Sequence, residues 1–216
     1  MQDNERKLGM SNRLLRWFAA WALALFATCA YSAPKTVLVL GDSLSAEYGI
    51  MRGQGWVPLL EKRLQSERID AGIVNASVSG ETTSGGKARL PALLGQHRPS
   101  VVVIELGGND GLRGLPLSAA EANLRAMIAE SLKANAKVLL VGMQIPPNYG
   151  RDYAEKFAGM YRKLSQETKV PLVPFLLEGV ASRPDLFQAD RIHPLAEAQP
   201  LMLENIWPHL KQLLMR

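Results

Sequence analysis

A single cysteine, Cys29, stands in 216 residues, so no disulfide closes within the chain and stability must come from packing. The three histidines, His97, His193 and His209, lie far apart with no metal-ligand spacing linking them, and no metal site is expected. Neither a P-loop nor a Gly-x-Gly-x-x-Gly stretch occurs, which argues against a bound nucleotide; no cofactor is expected. The absence of a Gly-x-Ser-x-Gly elbow disfavours an ordinary α/β-hydrolase. Charge of one sign is also scarce. The formal net charge is +5, and part of it falls in the first 33 residues, where Arg6, Lys7, Arg13 and Arg16 outnumber Asp3 and Glu5. The remainder is too weakly basic for nucleic acid and allows at most mild attraction to anionic lipid or acyl carriers. Repeats, low-complexity stretches and linkers are missing too, so one domain is expected.

The amino terminus has its own pattern. Arg13 and Arg16 precede the uncharged apolar run Trp17 to Ala27, and small residues follow at Ala30, Ser32 and Ala33. Basic, apolar, small is the order of a secretory leader, and the apolar core falls short of the roughly 20 residues that span a bilayer. Residues 1–33 are therefore expected to be a signal peptide and 34–216 the exported domain, periplasmic or secreted. A retained anchoring helix is the other reading of this stretch, and Met10 is an alternative start to Met1.

Beyond it, apolar and β-branched runs at 35–40, 71–78, 100–106, 137–143 and 171–175 read as strands, each followed by helix-spaced apolar residues. Trp56, Leu59, Leu60 and Leu64 mark one helix; Tyr153, Phe157, Met160, Tyr161 and Leu164 mark another, whose aromatic stripe reads as core. Ser118-Ala119-Ala120-Glu121 has the form of a capping box. Pro194 suits a first helical position, with His193 at the cap, and Pro208 is expected to kink or end the terminal helix. Five alternations with short connections predict a parallel five-stranded sheet covered on both faces, a flavodoxin-like three-layer α/β/α fold. In the commonest such order, beginning 2-1-3, the loops after the first three strands adjoin.

Those loops hold Ser43, Gly80 and Asn109, and Asp190-Arg191-Ile192-His193 precedes the last helix. A serine hydroxyl needs a base during attack. His193 is the histidine set in a loop beside a carboxylate, and Asp190, three residues earlier, can fix its tautomer. The backbone amides of Ser43 and Gly80 and the Asn109 carboxamide can serve a tetrahedral oxyanion. Taken singly, each has an ordinary role: a helix cap, a turn glycine, a turn asparagine, a surface charge. Their coincidence at strand ends is what points to chemistry.

Gly41-Asp42-Ser43-Leu44-Ser45, Gly80, Gly107-Gly108-Asn109-Asp110 and Asp190-x-x-His193 resemble, in order, the four blocks of the SGNH (GDSL) hydrolases. Asn75 to Thr82, Gly107 to Gly114, Met143-Gln144-Ile145 with Asn148 to Arg151, and Ala198-Gln199-Pro200 further resemble a bacterial subgroup of multifunctional thioesterases and lysophospholipases. The resemblance implies the SGNH fold, Ser43 as nucleophile, His193 as base, Asp190 as its orienter, and Gly80 and Asn109 as oxyanion donors. It also implies an acyl groove bordered by Leu112, Ile145 and Pro146. Pro146-Pro147 replaces a differently composed segment, and Arg191 takes a place often held by glycine. The expected enzyme is a monomer that hydrolyses small-molecule or lipid acyl esters and thioesters, without metal, nucleic acid or stable membrane insertion after leader removal. A glycan acetylesterase and a non-catalytic flavodoxin-like binding module are the alternatives.

Overall fold

The structure, a computed structural model, describes residues 35–215; the expected leader at 1–33 lies outside them. Five parallel strands form one sheet: β1 (Lys35–Gly41), β2 (Ala71–Asn75), β3 (Val101–Glu105), β4 (Lys137–Val141) and β5 (Leu172–Val173), in the order β2-β1-β3-β4-β5. Val37 pairs with Ile73 on one side and Val101 on the other, so β1 sits inside the sheet. The helices are α1 (Trp56–Ser66), α2 (Thr83–His97), α3 (Gly108–Leu112), α4 (Leu117–Lys133), α5 (Arg151–Thr168) and α6 (Gln199–Met215).

Side-chain alternation along the strands splits the core in two. Val37, Val39, Val101, Val103, Leu139 and Val141 face α1 and α6. Leu38, Leu40, Val102, Ile104, Val138 and Leu140 face α2, α4 and α5. Both faces of the sheet are thereby dry, which is why these strands read as unbroken apolar runs rather than as alternations. The aromatic stripe of α5 is core as expected, with Phe157 and Tyr161 packed edge-on at 5.5 Å between ring centroids.

Four local expectations need correction. The second strand ends at Asn75, not Val78, although the amides of Ala76 and Val78 still donate to Val39 and Gly41. There the Asn75 side chain takes over, donating to the Ser45 carbonyl and accepting from the Ser77 amide. The fifth strand shrinks to two residues because Pro171 and Pro174 have no N–H for the ladder. The capping box does not form: α4 begins at Leu117 behind Pro116, and Glu121 binds Lys163 and Arg125 instead. Helix α6 runs on through Pro208 to Met215. Pro208 is on the exposed side, where the carbonyl it frees meets water, while Met202, Ile206, Leu210 and Leu213 hold the opposite side in the core.

Candidate active site

The chain leaves β1 at Gly41, and no side chain fits there: a Cβ would stand 2.7 Å from Glu105 Oε2 and 2.8 Å from Ser45 Oγ. Glu105, the last residue of β3, lies directly behind the turn and accepts from the Asp42 amide (3.2 Å) and the Ser45 hydroxyl (2.7 Å). The Trp56 indole donates to the same Ser45 oxygen, at 3.2 Å. Burial pushes the Glu105 carboxyl well above its usual range, and the neighbouring Asp42 charge adds to this. Asp42 is also buried. Its Oδ1 accepts from the Leu44 amide (3.0 Å) and its Oδ2 from Asn109 Nδ2 (3.0 Å). Burial outweighs those hydrogen bonds and raises its pKa to about 6. This buried frame aims the half-buried Ser43 out of the sheet edge.

Gly80 occupies a turn at φ +78°, a conformation suited to glycine, with its carbonyl held by Arg113 Nη2 at 3.0 Å. Asn109 lies in the first turn of α3, fixed on one side by Asp42. The next residue, Asp110, accepts from the amide and hydroxyl of Thr83 at 2.9 and 2.6 Å, tying this loop to α2. Among the described residues, no group in the chain takes the amide proton of Ser43 or of Gly80. Both backbone donors are therefore free of partners within the described chain.

His193 is not a helix cap. Pro194 bridges to Phe187 across the mouth of a loop, closed by hydrogen bonds from the Gln188 amide to the His193 carbonyl and from the Leu195 amide to the Leu186 carbonyl. A proline in such a bridge does not start a helix, and α6 begins only at Gln199. At the tip, Asp190 Oδ1 accepts from the amides of Ile192 and His193, and Oδ2 lies 2.7 Å from His193 Nδ1. Burial tends to raise the Asp190 pKa, but the bonds from the His193 ring and the two amides win and bring it down to about 2. On the other side of the ring, Nε2 is 2.9 Å from Ser43 Oγ. Ser43 and His193, 150 positions apart, thus join with Asp190 in one row: hydroxyl, imidazole, carboxylate.

A groove of about 940 Å³ opens from this row. Ser43, Asn109 and His193 line one part of it, and the expected Leu112, Ile145 and Pro146 border it together with Met143, Phe175, Leu177 and Phe187. Gly80 and Asp190 stand outside the lining. His97 and His209 lie in α2 and α6, away from the row.

Sequence reasoning missed Glu105, Gln188 and Tyr48. Glu105 carried a readable signal, a charge ending an otherwise apolar strand. Gln188 carried none.

A five-stranded parallel sheet with these four blocks along one edge defines an SGNH hydrolase fold. The chain belongs to the GDSL-like lipase/acylhydrolase family, which its residues 39–199 match. It is similar to the esterase TesA of Pseudomonas aeruginosa, 52% identical over 192 residues, covering 89% of this chain and 96% of that one. It is 43% identical over 202 residues to the thioesterase 1/protease 1/lysophospholipase L1 of Escherichia coli, covering 94% and 96% of the two chains. A crystal structure of TesA superposes with a TM-score of 0.81 at 53% identity, over 83% of this chain and 99% of the other. Membership of this family makes the chain an ester hydrolase.

Proposed function

We propose that this enzyme hydrolyses acyl esters and thioesters through an acyl-enzyme on Ser43, with His193 as base and Asp190 as its orienter. The observation that carries the reading is the row Ser43 Oγ–His193 Nε2 (2.9 Å) and His193 Nδ1–Asp190 Oδ2 (2.7 Å) at an apolar groove. With Nδ1–H donated to Asp190, Nε2 is left with its lone pair toward the serine hydroxyl. As Oγ bonds to the substrate carbonyl carbon, its proton passes to Nε2, and Asp190 stabilises the imidazolium that results. The carbonyl oxygen becomes an oxyanion, met by the amides of Ser43 and Gly80 and by Asn109 Nδ2. One such donor is worth about 10²–10³ in turnover. The leaving alcohol or thiol takes the proton from Nε2 as its bond breaks. Water then attacks the acyl-enzyme, giving its proton to Nε2, and the carboxylic acid departs as Ser43 regains its own.

The apolar groove favours lipidic acyl chains. Expected substrates are lysophospholipids, acyl-coenzyme A and aryl esters; the name of the Escherichia coli relative, a thioesterase and lysophospholipase, supports ester and thioester cleavage. The leader-like pattern at 1–33 supports a periplasmic or secreted enzyme, which favours lysophospholipids over cytoplasmic acyl-coenzyme A. No helix among the described residues is long and apolar enough to cross a membrane. We read the working unit as a monomer, because the row and the groove are complete within one chain.

The test is labelling with a fluorophosphonate followed by peptide mass spectrometry. One adduct on Ser43 is expected, together with loss of essentially all hydrolysis in Ser43→Ala. Full activity in that variant removes the reading. A p-nitrophenyl ester series should favour octanoate over acetate; the reverse order would move the substrate to acetylated glycans.

A further inference from the structure

The row depends on two loops that come from opposite ends of the chain, and a short circuit of bonds encloses it. The Tyr48 amide donates to the Ser43 carbonyl at 3.3 Å. The Tyr48 carbonyl accepts from Gln188 Nε2 at 2.9 Å. The Gln188 amide donates to the His193 carbonyl at 2.8 Å, and its Nε2 also approaches the Pro194 carbonyl at 3.4 Å. The Arg191 amide, at the loop tip, donates to the Gln188 carbonyl at 2.9 Å. From Ser43 through Tyr48 and Gln188 to His193, each link is a backbone or carboxamide hydrogen bond. The 2.9 Å contact between Oγ and Nε2 closes the ring.

Two further features belong to the same device. The Tyr48 ring lies against the imidazole, with centroids 4.3 Å apart and planes tilted by 41°. Gly49 follows at φ +73°, and a Cβ there would fall 2.1 Å from Gln188 Oε1, so a side chain at 49 would displace the carboxamide. The chain is bare at the place where Gln188 lies across it. Elsewhere the nucleophile segment is joined to the end of the histidine loop at α1, where the Trp56 amide donates to Gln199 Oε1 and Gln199 Nε2 reaches the Leu195 carbonyl. That tie lies beyond both reactive residues, whereas the Gln188 tie spans the gap between them.

We propose that Gln188 is a positioning residue, a strap whose carboxamide fixes the separation of Ser43 and His193 through the Tyr48 carbonyl. The inference rests on the serine-hydrolase reading above. Proton transfer is sensitive to distance, and misplacing a reacting group by 1 Å can cost about 10²-fold. Gln188 is half-buried and outside both core clusters, so its loss should spare the fold.

The experiment compares wild type with Gln188→Ala and Gln188→Met, the second keeping bulk while removing the donor. The readouts are kcat and KM on p-nitrophenyl octanoate, the rate of Ser43 phosphonylation, and Tm. Both variants should lose about 10–100-fold in kcat with KM within about 2-fold, as expected for a reacting group put out of place rather than a lost binding contact. Phosphonylation, which needs the activated serine but not the acyl groove, should slow in parallel, with Tm held. Unchanged kcat and phosphonylation in either folded variant overturn the strap, as does an effect confined to KM, which would leave Gln188, a lining residue of the groove, as a wall and nothing more. Wild-type labelling at Ser43 is the control: its failure removes the hydrolase reading itself, whereas a normal wild type with normal variants removes only the strap.

Discussion

Two aspartates flank Ser43, the proposed nucleophile, and the same carboxyl group behaves in opposite ways on its two sides. Asp190 sits at the rim with 40% of its side chain exposed, takes three hydrogen bonds from one short loop, and holds its pKa at about 2. Asp42 sits beneath the turn, 2% exposed, beside a second buried carboxyl in Glu105, and its pKa climbs to about 6. Position accounts for the contrast. Hydrogen bonds from the His193 ring and two backbone amides keep Asp190 an anion suited to steady an imidazolium, while burial beside Glu105 makes Asp42 a structural acceptor that resists ionisation.

The widest gap between them should appear in activity. Asp190→Asn removes the charge opposite His193 and should lower kcat by about 10²–10⁴-fold, since loss of this group leaves the wrong tautomer favoured. Asp42→Asn keeps one acceptor where two donors, the Leu44 amide and Asn109 Nδ2, both need one. Asn109 then loses its anchor, and about 10²-fold in kcat is expected to go with that proposed oxyanion donor. Steady-state kinetics on one aryl ester measures both; an Asp42→Asn enzyme of full activity would show that Asn109 needs no anchor.

Acid titration of stability separates the two by sign. The folded-state pKa of Asp190 lies below its ordinary 3.8, so its contribution is present above pH 3.8 and is lost as pH falls toward about 2. The folded-state pKa of Asp42 lies above 3.8, so the folded protein binds the extra proton. Stability from this group is greatest below pH 3.8 and declines as pH rises through about 6. In Tm–pH profiles, Asp42→Asn should flatten the decline between about 4 and 6, and Asp190→Asn should flatten the fall below 4. Matching profiles for the two variants would refute the contrast.

The smallest effect belongs to a carboxylate remote from both. Glu121 pairs with Lys163 and Arg125 on the outer surface, and those hydrogen bonds hold its pKa below the usual range. Glu121→Gln should cost no more than about 1 kcal/mol in urea unfolding, with kcat unchanged.

How much of this was legible beforehand follows from the range of each interaction. The strands β1, β3 and β4 announce themselves because a sheet dry on both faces demands uninterrupted apolar residues. Ser43, Gly80, Asn109 and the Asp190–His193 pair could be read from residue types at strand ends and from a three-residue spacing. Glu105 was half-visible as a charge inside β3. Gln188 and Tyr48 were not, because a carboxamide bound to a distant backbone carbonyl leaves no periodicity and uses no rare residue. The capping box failed for a related reason: Pro116 had already set the start of α4, and Glu121 found partners on α5. The backbone setting of His193 was not legible, since the Phe187–Pro194 bridge joins residues that no local pattern pairs.

The sheet order carries a consequence for how such an enzyme changes over time. Of the groups proposed to react, Ser43, Gly80 and Asn109 leave from the ends of β1, β2 and β3 and the Asp190–His193 pair from the loop before α6, whereas Met143 and Ile145 of the groove follow β4, and Phe175 and Leu177 follow β5 directly. The proposed nucleophile and much of the apolar groove thus hang from different strands of one sheet. Substitutions at Met143, Ile145, Phe175 or Leu177 are expected to retune which chains are accepted while leaving the proposed proton relay alone, so selectivity can drift without passing through an inactive ancestor.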